Sequence, residues 1–461
     1  MKKSGRDREM DRKFRPFLKF WTLFSPEFIA HMQKITRLIR GEETELARLD
    51  QEGDMTAGYE ACVSRWKAAH RHIALSIIVK LDDIKKLEAD KKEHHRNRQK
   101  LLKDKCIASI ELLKLEIRVL RRTADALIWG MLNNEHSSVR RLPISGDTDN
   151  LSRDSIIDSL IAADELNKDP HCLAVVSDMS TFVHVGDLVT FSLQHGFQLV
   201  EVKSGTKNME LYEAAEFAFT SGCTQFEKQF LDSMPPNDIQ QFKRIKNQMI
   251  RAGNALEAIH TGEGYDNLMK TPVSIEERNY QPEFFNMNIV KLADEVKAGK
   301  KWAIDVIDEC VYIGVYPESD LGFIGFNTWI DGTEFKGRVT NINDSFFDPL
   351  SRPFLNLNLP TDILMDVMTG KLLIVLCLDH EKFFERAKVR YPGLFILEDI
   401  PENHIQSLNT LRVGSRCIAS YVDGHISYVG NGFETRIIFD LQRPDNLIDW
   451  SYQRSDLRMK S

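Results

Sequence analysis

The spacing of apolar residues divides the chain into a helical front part and a later part that contains strands. From about residue 25 to residue 133, apolar side chains recur in steps of three and four, most clearly in the run that ends at Met131. This period places apolar side chains along one face of a helix. We therefore predict a long amphipathic helix at the end of this region and an earlier one that carries Ile73, Ile77 and Leu81. His70 and His72, two apart on that earlier helix, are expected on its surface.

Residues 88–100, between the two predicted helices, consist almost entirely of charged, histidine and amide side chains. Such a segment cannot lie in a core. It forms either the exposed tip of a helical hairpin or the bare middle of one long projecting helix. In both cases it offers a surface for phosphate groups or for a protein partner.

A polar break at residues 137–153 ends the helical region, and a pattern typical of strands follows it. The apolar run at residues 173–176 indicates a buried strand, and two alternating segments then form an antiparallel hairpin. If its loop is centred on Gln194, residues with numbers that sum to 388 face each other. Val189 then faces Leu199, and Asp187 faces Glu201 on the same side of the sheet.

Two acids in directly opposite positions destabilise a sheet unless a positive charge lies between them. On this register Lys203 shares the face of Asp187 and Glu201. A bound metal cation would also supply the missing charge. The plainer alternative is that Lys203 pairs with Glu201 on a solvent-exposed sheet edge.

An acid on one strand followed by Glu-x-Lys on the next resembles the PD-(D/E)xK, or restriction-endonuclease-like, nuclease superfamily. Gly186-Asp187 stands in place of the Pro-Asp element, and Glu201-Val202-Lys203 forms the second element. The resemblance implies a Mg²⁺ ion, or Mn²⁺, held by Asp187, Glu201 and the Val202 carbonyl. Hard oxygen ligands are those that Mg²⁺ prefers. Lys203 would serve the water that attacks a phosphodiester bond.

The resemblance also implies residues beyond this motif. Superfamily members often add an acid from the preceding helix, and we assign Glu165 to the metal site on this basis, with Asp125 and Glu135 as alternatives. The residues expected to contact the nucleic-acid backbone lie in the following helices: Lys243, Arg244 and Gln248.

The expected fold is mixed α+β, and its core follows from the resemblance. That core has the order α-βββ-α-β, with the strand-like run at residues 303–315 as its fourth strand. We expect three parts: a basic, coiled-coil-like helical region at 1–136, the nuclease-like core at 151–316, and a mixed α/β region of unknown role at 317–461. A rival Glu-x-Lys motif begins at Glu334, fourteen residues after Asp320, but Asp331-Gly332 places a turn directly before it.

Composition and charge narrow the function. With 461 residues and 42% hydrophobic side chains, the chain can form several domains with cores of their own. Its seven cysteines show no zinc-ligand spacing, which favours a reducing, cytoplasmic setting. No run approaches the roughly 18 apolar residues of a membrane span, so we expect no membrane partner. Residues 1–150 hold 31 Lys and Arg against 23 Asp and Glu, which favours a polyanionic partner.

The expected function is therefore a Mg²⁺-dependent nuclease, acting on DNA or alternatively on RNA, in a prokaryotic restriction or antiviral-defence setting. One alternative is a non-catalytic subunit that keeps the nuclease fold and binds nucleic acid or a protein. Another is a helical scaffold that docks a protein partner through residues 88–100. A homo-oligomer is compatible with each of these.

Overall fold

The structure is a computed structural model that describes residues 13–41, 55–143, 151–202, 206–267, 270–275, 281–333, 337–399, 410–422 and 425–460. The chain forms two compact units. The inserted unit is Arg37–Arg278, and the outer unit combines Met1–Thr36 with Asn279–Ser461. Both contain helices and antiparallel strands, so the predicted mixed α+β class is confirmed.

A long helical hairpin dominates the front of the inserted unit. Helix α1, Pro26–Arg40, leads into this unit, where α2, Met55–Arg96, and α3, Lys100–Met131, follow. The turn between α2 and α3 contains Arg98 with a left-handed φ of 56°. Lys80 pairs with Glu116, each eighteen residues from Arg98, so the two helices run antiparallel. Residues 88–100 thus form the tip of a helical hairpin and not the middle of a single helix.

A three-stranded antiparallel sheet follows the hairpin. It is preceded by the short helix α4, His136–Val139, and by α5, Arg153–Leu166. Its strands are β1, Cys172–Val176, β2, Leu188–Ser192, and β3, Gly196–Val200, in the order β1-β2-β3. The pairs Val189–Leu199 and Phe191–Phe197 confirm the predicted register. The remaining elements of the unit are α6, Thr206–Ser221, α7, Thr224–Asp232, α8, Pro236–Thr261, β4, Glu263–Asp266, and β5, Thr271–Ser274.

The outer unit contains a four-stranded antiparallel sheet in the order β6-β7-β9-β8. The strands are β6, Ala303–Ile307, β7, Val311–Tyr316, β8, Gly337–Asn341, and β9, Leu373–Asp379. Four helices accompany it: α9, Asn286–Lys297, α10, Ser319–Asp331, α11, Thr361–Met368, and α12, His380–Arg390. A smaller sheet is built around β12, which spans Arg416–Val422. Its three partner strands are β10 (Ile396–Asp399), β11 (Arg412–Val413) and β13 (His425–Tyr428). Helices α13, Gly432–Phe439, and α14, Pro444–Lys460, end the unit.

The run at residues 303–315 does not supply a fourth strand to the β1-β2-β3 sheet, which corrects our expectation. This run is a hairpin of its own, because Asp308 and Glu309 turn the chain with φ of 44° and 58°. Its two arms pair with each other, and β7 also pairs with β9. The expected boundary between residues 316 and 317 lies at the end of β7, inside a sheet that the structure keeps whole.

Helix α10 covers one face of the four-stranded sheet. Its Phe326 packs with Tyr312 and Tyr316 of β7 and with apolar residues of β9. A Cβ atom at Gly314 would lie 2.6 Å from the Phe326 ring, so only glycine allows this close approach. Helix α9 lies on the opposite face, where the Asn288 amide donates to a carboxylate oxygen of β6.

Candidate functional site: two acids at the end of the hairpin

Asp187 and Glu201 lie where the β2-β3 hairpin ends. The described strand pairing stops at Leu188 and Val200, one step before these two acids. Asp187 nevertheless stays hydrogen-bonded to the chain at the end of β3. Its N–H donates to the Val200 carbonyl at 2.9 Å, and its Oδ2 accepts the N–H of Val202 at 2.7 Å. The two bonds lie on either side of Glu201, so they hold the Asp187 carboxylate beside that residue.

The backbone around Asp187 explains why glycine precedes it. Gly186 has a φ of 76°, in the left-handed region. Proline, with its φ fixed near roughly −65°, cannot adopt this conformation. The chain therefore departs from the Pro-Asp pattern because its backbone turns differently here. On its other side, the Asp187 carbonyl accepts the N–H of Ser177 at 2.9 Å, which ties β2 to the end of β1.

Ser177 is a residue of this region that sequence reasoning missed. Val176 pairs with Leu188, so continuing the register brings Ser177 opposite Asp187. Its side chain is buried, and its Oγ has no hydrogen-bond partner among the described residues. The apolar run at residues 173–176 predicts a buried strand, but it does not show that this strand pairs with β2, and that pairing places Ser177 opposite Asp187.

His70 supports β1 from the helical hairpin. Its Nε2 accepts the N–H of Val176 at 3.1 Å, and the side chain is 1% exposed. Burial lowers the pKa of His70 to about 4, so the imidazole is neutral near pH 7. The expectation that His70 lies on the surface was wrong, because its helix packs this side chain against the first strand.

Tyr212 of α6 lies close to Glu201. Burial raises the pKa of the Tyr212 phenol, and the charges of Glu216 and Glu201 raise it further. Sequence reasoning did not identify this residue. It lies in the helix that follows the Glu-x-Lys motif, eleven residues after Glu201, and no motif predicts a tyrosine at this spacing.

Helices α6 and α8 run parallel beside this end of the sheet. Near their starts, Lys207 of α6 pairs with Asp238 of α8 at 2.8 Å. Near their ends, the Phe219 ring lies beside Gly253, where an added Cβ atom would be 3.4 Å from the ring. The middle of α8 is therefore level with the middle of α6, where Tyr212 lies.

The three residues expected to contact nucleic acid all lie in that middle part of α8. Lys243 and Arg244 are exposed. Gln248, one turn after Arg244, is half-buried, and its Oε1 accepts no hydrogen bond from the described residues. The structure thus places two cations and an amide on the helix beside the one that carries Tyr212.

Asp125, an alternative for the helix acid, is a structural residue in this fold. Its buried carboxylate pairs with Arg122 at 2.8 Å. It also accepts hydrogen bonds from the Ser180 hydroxyl at 2.6 Å and from the N–H and hydroxyl of Thr181 at 2.9 and 2.5 Å. These bonds fasten the chain after β1 to α3, and they occupy the oxygens that a metal would need.

Glu165 lies at the far end of α5 from Asp187. In the first turn of α5, the Ser155 hydroxyl donates to Asp178 at 2.7 Å. Asp178 directly follows Ser177, whose N–H donates to the Asp187 carbonyl. Glu165 is ten residues after Ser155, or roughly 15 Å along the helix. It is exposed and pairs with Lys168 at 2.5 Å. The structure does not bring this acid to the hairpin end.

The remaining predicted site residues are Glu135 and Lys203. Glu135 is exposed and accepts a hydrogen bond from Ser138 at 3.2 Å. Lys203 lies outside the described residues, as does the rival Glu334. Across the part of the chain that the structure describes, no group of three or more His, Cys, Asp or Glu side chains is arranged to hold a metal ion. The described carboxylates at the hairpin end are thus Asp187 and Glu201.

Within the described ranges, no helix is both long enough and apolar enough to span a membrane. Comparison with known proteins found no family that matches this chain, no matching curated protein and no matching solved structure.

Proposed function

We propose that this chain is a metal-dependent nuclease that hydrolyses phosphodiester bonds of DNA, with Asp187 and Glu201 as its metal ligands. The observation that supports this most is the local geometry of the hairpin end. Asp187 turns its carboxylate across the hairpin to the N–H of Val202, directly beside Glu201. Two acids held side by side offer a place where a bound cation would offset their repulsion.

The donors at this place fit a hard divalent cation. Two carboxylates and the Val202 carbonyl would offer oxygen ligands only, the set that Mg²⁺ or Mn²⁺ prefers. When bound, such an ion polarises a phosphate oxygen and lowers the pKa of a coordinated water. The protein's own part is to fix the ligands. Asp187 is held by hydrogen bonds from both neighbouring segments, and Lys203 is the proposed residue for the attacking water.

The surrounding elements are consistent with part of the nuclease-like core. Helix α5, the strands β1 to β3 and helix α6 follow one another in the order α-βββ-α. We assign these elements to the core and leave its fourth strand unassigned. Lys243, Arg244 and Gln248 of α8 would contact the phosphodiester backbone, since cations bind phosphate without regard to base sequence. A cytoplasmic role in restriction or antiviral defence follows by analogy with this superfamily.

The test is a cleavage assay on the purified full chain. Supercoiled plasmid, linear duplex, single-stranded DNA and RNA are incubated with Mg²⁺, with Mn²⁺ or with EDTA. We expect metal-dependent cleavage of DNA that falls on the order of a hundredfold or more in Asp187→Asn, Glu201→Gln and Lys203→Ala. Glu165→Gln is the matched control and keeps its activity, because Glu165 lies at the other end of α5.

Circular dichroism and the mass of the purified variants establish that they are folded. The proposal fails if no metal supports cleavage of any substrate, or if Asp187→Asn and Glu201→Gln cut as fast as the parent.

A second function is favoured by one observation: Lys243 and Arg244 of α8 are exposed cations that could bind phosphate groups. In that case the fold would bind nucleic acid without cutting it. Binding measured at several salt concentrations separates the two readings. Affinity that falls steeply with salt, without cleavage under any metal, supports the binding function.

A further inference from the structure

Strand β6 forms one edge of the four-stranded sheet in the outer unit. The other edge strand, β8, is bound by the N-terminal segment, since the Asn341 amide donates to the carbonyls of Pro16 and Leu18 at 2.8 and 3.1 Å. On the outer side of β6, no strand of the described chain is paired. An open strand edge is a template for pairing with another strand.

One hydrogen bond shows which backbone groups face this open edge. The N–H of Val306 donates to the side chain of Asp305 at 2.8 Å, so it takes no part in the ladder with β7. Along an antiparallel strand, alternate residues turn their N–H and C=O groups to opposite sides. Trp302, Ile304 and Val306 therefore present their backbone groups outward.

The side chains of the same three residues form an apolar row. They lie on the sheet face that α10 covers, because Val306 pairs with Tyr312 and Ile304 with Gly314. Helix α10 covers β7 and β9 and leaves β6 open, so Trp302 is 54% exposed, and Ile304 and Val306 are each 39% exposed. Ile324 of α10 faces solvent as well, at 64%. An apolar row beside an open edge is an aggregation hazard unless something covers it.

We propose that a second copy of this chain covers it, by pairing its β6 antiparallel to the first and so joining two sheets into one of eight strands. The charge pattern favours a second copy as the partner. Lys300 and Lys301, both exposed, precede the apolar row, and Glu309, whose side chain is 86% exposed, follows it. Antiparallel self-pairing brings the basic end of each strand to the acidic end of the other, which is stabilising.

The symmetry of such a pair selects its register. A two-fold axis perpendicular to the sheet makes one residue pair with its own copy. Pairing Asp305 with itself would oppose two carboxylates, and pairing Ala303 with itself would oppose Val306 and Lys300. The pair centred on Ile304 avoids both faults, because Trp302 then faces Val306 on each side of the axis. All three positions have outward-facing backbone groups, so each pair can form hydrogen bonds.

The first test is the mass of the full chain in solution, by light scattering coupled to gel filtration. We expect twice the 53.1 kDa chain mass for the parent and a single chain mass for Val306→Lys. Val389→Lys is the matched control, since Val389 is an exposed valine of the same unit, on α12, at 81%. It stays dimeric, and circular dichroism establishes that both variants are folded.

The second test fixes the register by disulfide formation. In a Cys223→Ser background, which removes an exposed cysteine, Ile304→Cys should cross-link to its own copy under mild oxidation, because paired Cα atoms are about 5.5 Å apart. Val389→Cys should not. A single-chain mass for the parent at tens of micromolar overturns the proposal. So does a dimer that survives Val306→Lys and does not cross-link through residue 304.

Discussion

Acid should weaken the inserted unit through His70, and the size of this effect follows from the environment of its imidazole. The side chain is buried against β1, where its Nε2 accepts the Val176 N–H. Burial lowers its pKa from 6.5 to about 4, so the folded state takes up this proton less readily than the unfolded chain. Above pH 6.5 both states are neutral, and the group does not make stability depend on pH.

As the pH falls below 6.5, the unfolded chain binds the proton first and stability declines. The decline ends near pH 4, where the folded state is protonated as well. The fall in pKa from 6.5 to about 4 therefore lowers the free energy of unfolding by about 3 kcal/mol in all, at roughly 1.4 kcal/mol for each pKa unit. The variant His70→Gln keeps an oxygen that can accept the Val176 N–H but carries no titratable group. It should lack this part of the acid sensitivity.

Hydrogen exchange read by mass spectrometry measures the effect where it occurs. The opening free energy of the amides in β1 is followed from pH 7.5 to 4.5 in the parent and in His70→Gln, with intrinsic exchange rates corrected. We expect the difference between the two proteins to change by about 2 to 3 kcal/mol across this range. His195→Gln, which removes an exposed imidazole between β2 and β3, is the control. Parallel loss of protection in the parent and in His70→Gln would refute the reasoning.

Two further predictions concern the packing of the helical hairpin. Asp125→Ala should lower the free energy of unfolding by about 3 to 5 kcal/mol, because it removes the carboxylate that pairs with the buried Arg122 guanidinium. Glu165→Ala, on the surface, should change the free energy of unfolding by less than about 0.5 kcal/mol. Gly130→Ala should lower the free energy of unfolding by about 1 to 3 kcal/mol, since the added Cβ atom would lie 2.3 Å from the Trp66 ring. Gly58→Ala, with open space around the added atom, should raise the free energy of unfolding by up to about 1 kcal/mol. Urea unfolding measures both pairs, and equal effects within either pair would contradict the packing described.

Local patterns in the sequence predicted the elements whose contacts are close in the chain. The β2-β3 register followed from the position of one turn, and the observed pairing of Val189 with Leu199 confirms it. The two long helices followed from a period of three and four residues, which left open whether they form a hairpin. Both patterns rest on side-chain alternation, which the backbone geometry of strands and helices imposes directly.

The failures have specific physical causes. The turn inside residues 303–315 is made by Asp308 and Glu309, and because glutamate rarely adopts left-handed φ, the sequence carries no turn signal such as Asp-Gly or Asn-Gly here. His70 lies three and seven residues before Ile73 and Ile77, on the buried stripe of its helix, and its polarity outweighed its position in our prediction.

The helix acid could not be chosen from the sequence for a different reason. Whether Asp125 binds a metal or a set of hydroxyl and amide groups depends on Ser180 and Thr181, which are 55 and 56 residues away in the chain. Long-range partners of this kind leave no periodic signal.

The insertion of one unit within the other sets an order for folding during synthesis. Phe17 packs in the core of the outer unit with Phe326 and Leu373, more than 300 residues later. The ribosome completes residues 37–278 before it makes any strand of that core. Contacts so distant in sequence form slowly, because a long loop must close first. The inserted unit can therefore fold early, while the aromatic N-terminal segment waits for a sheet that is not yet made.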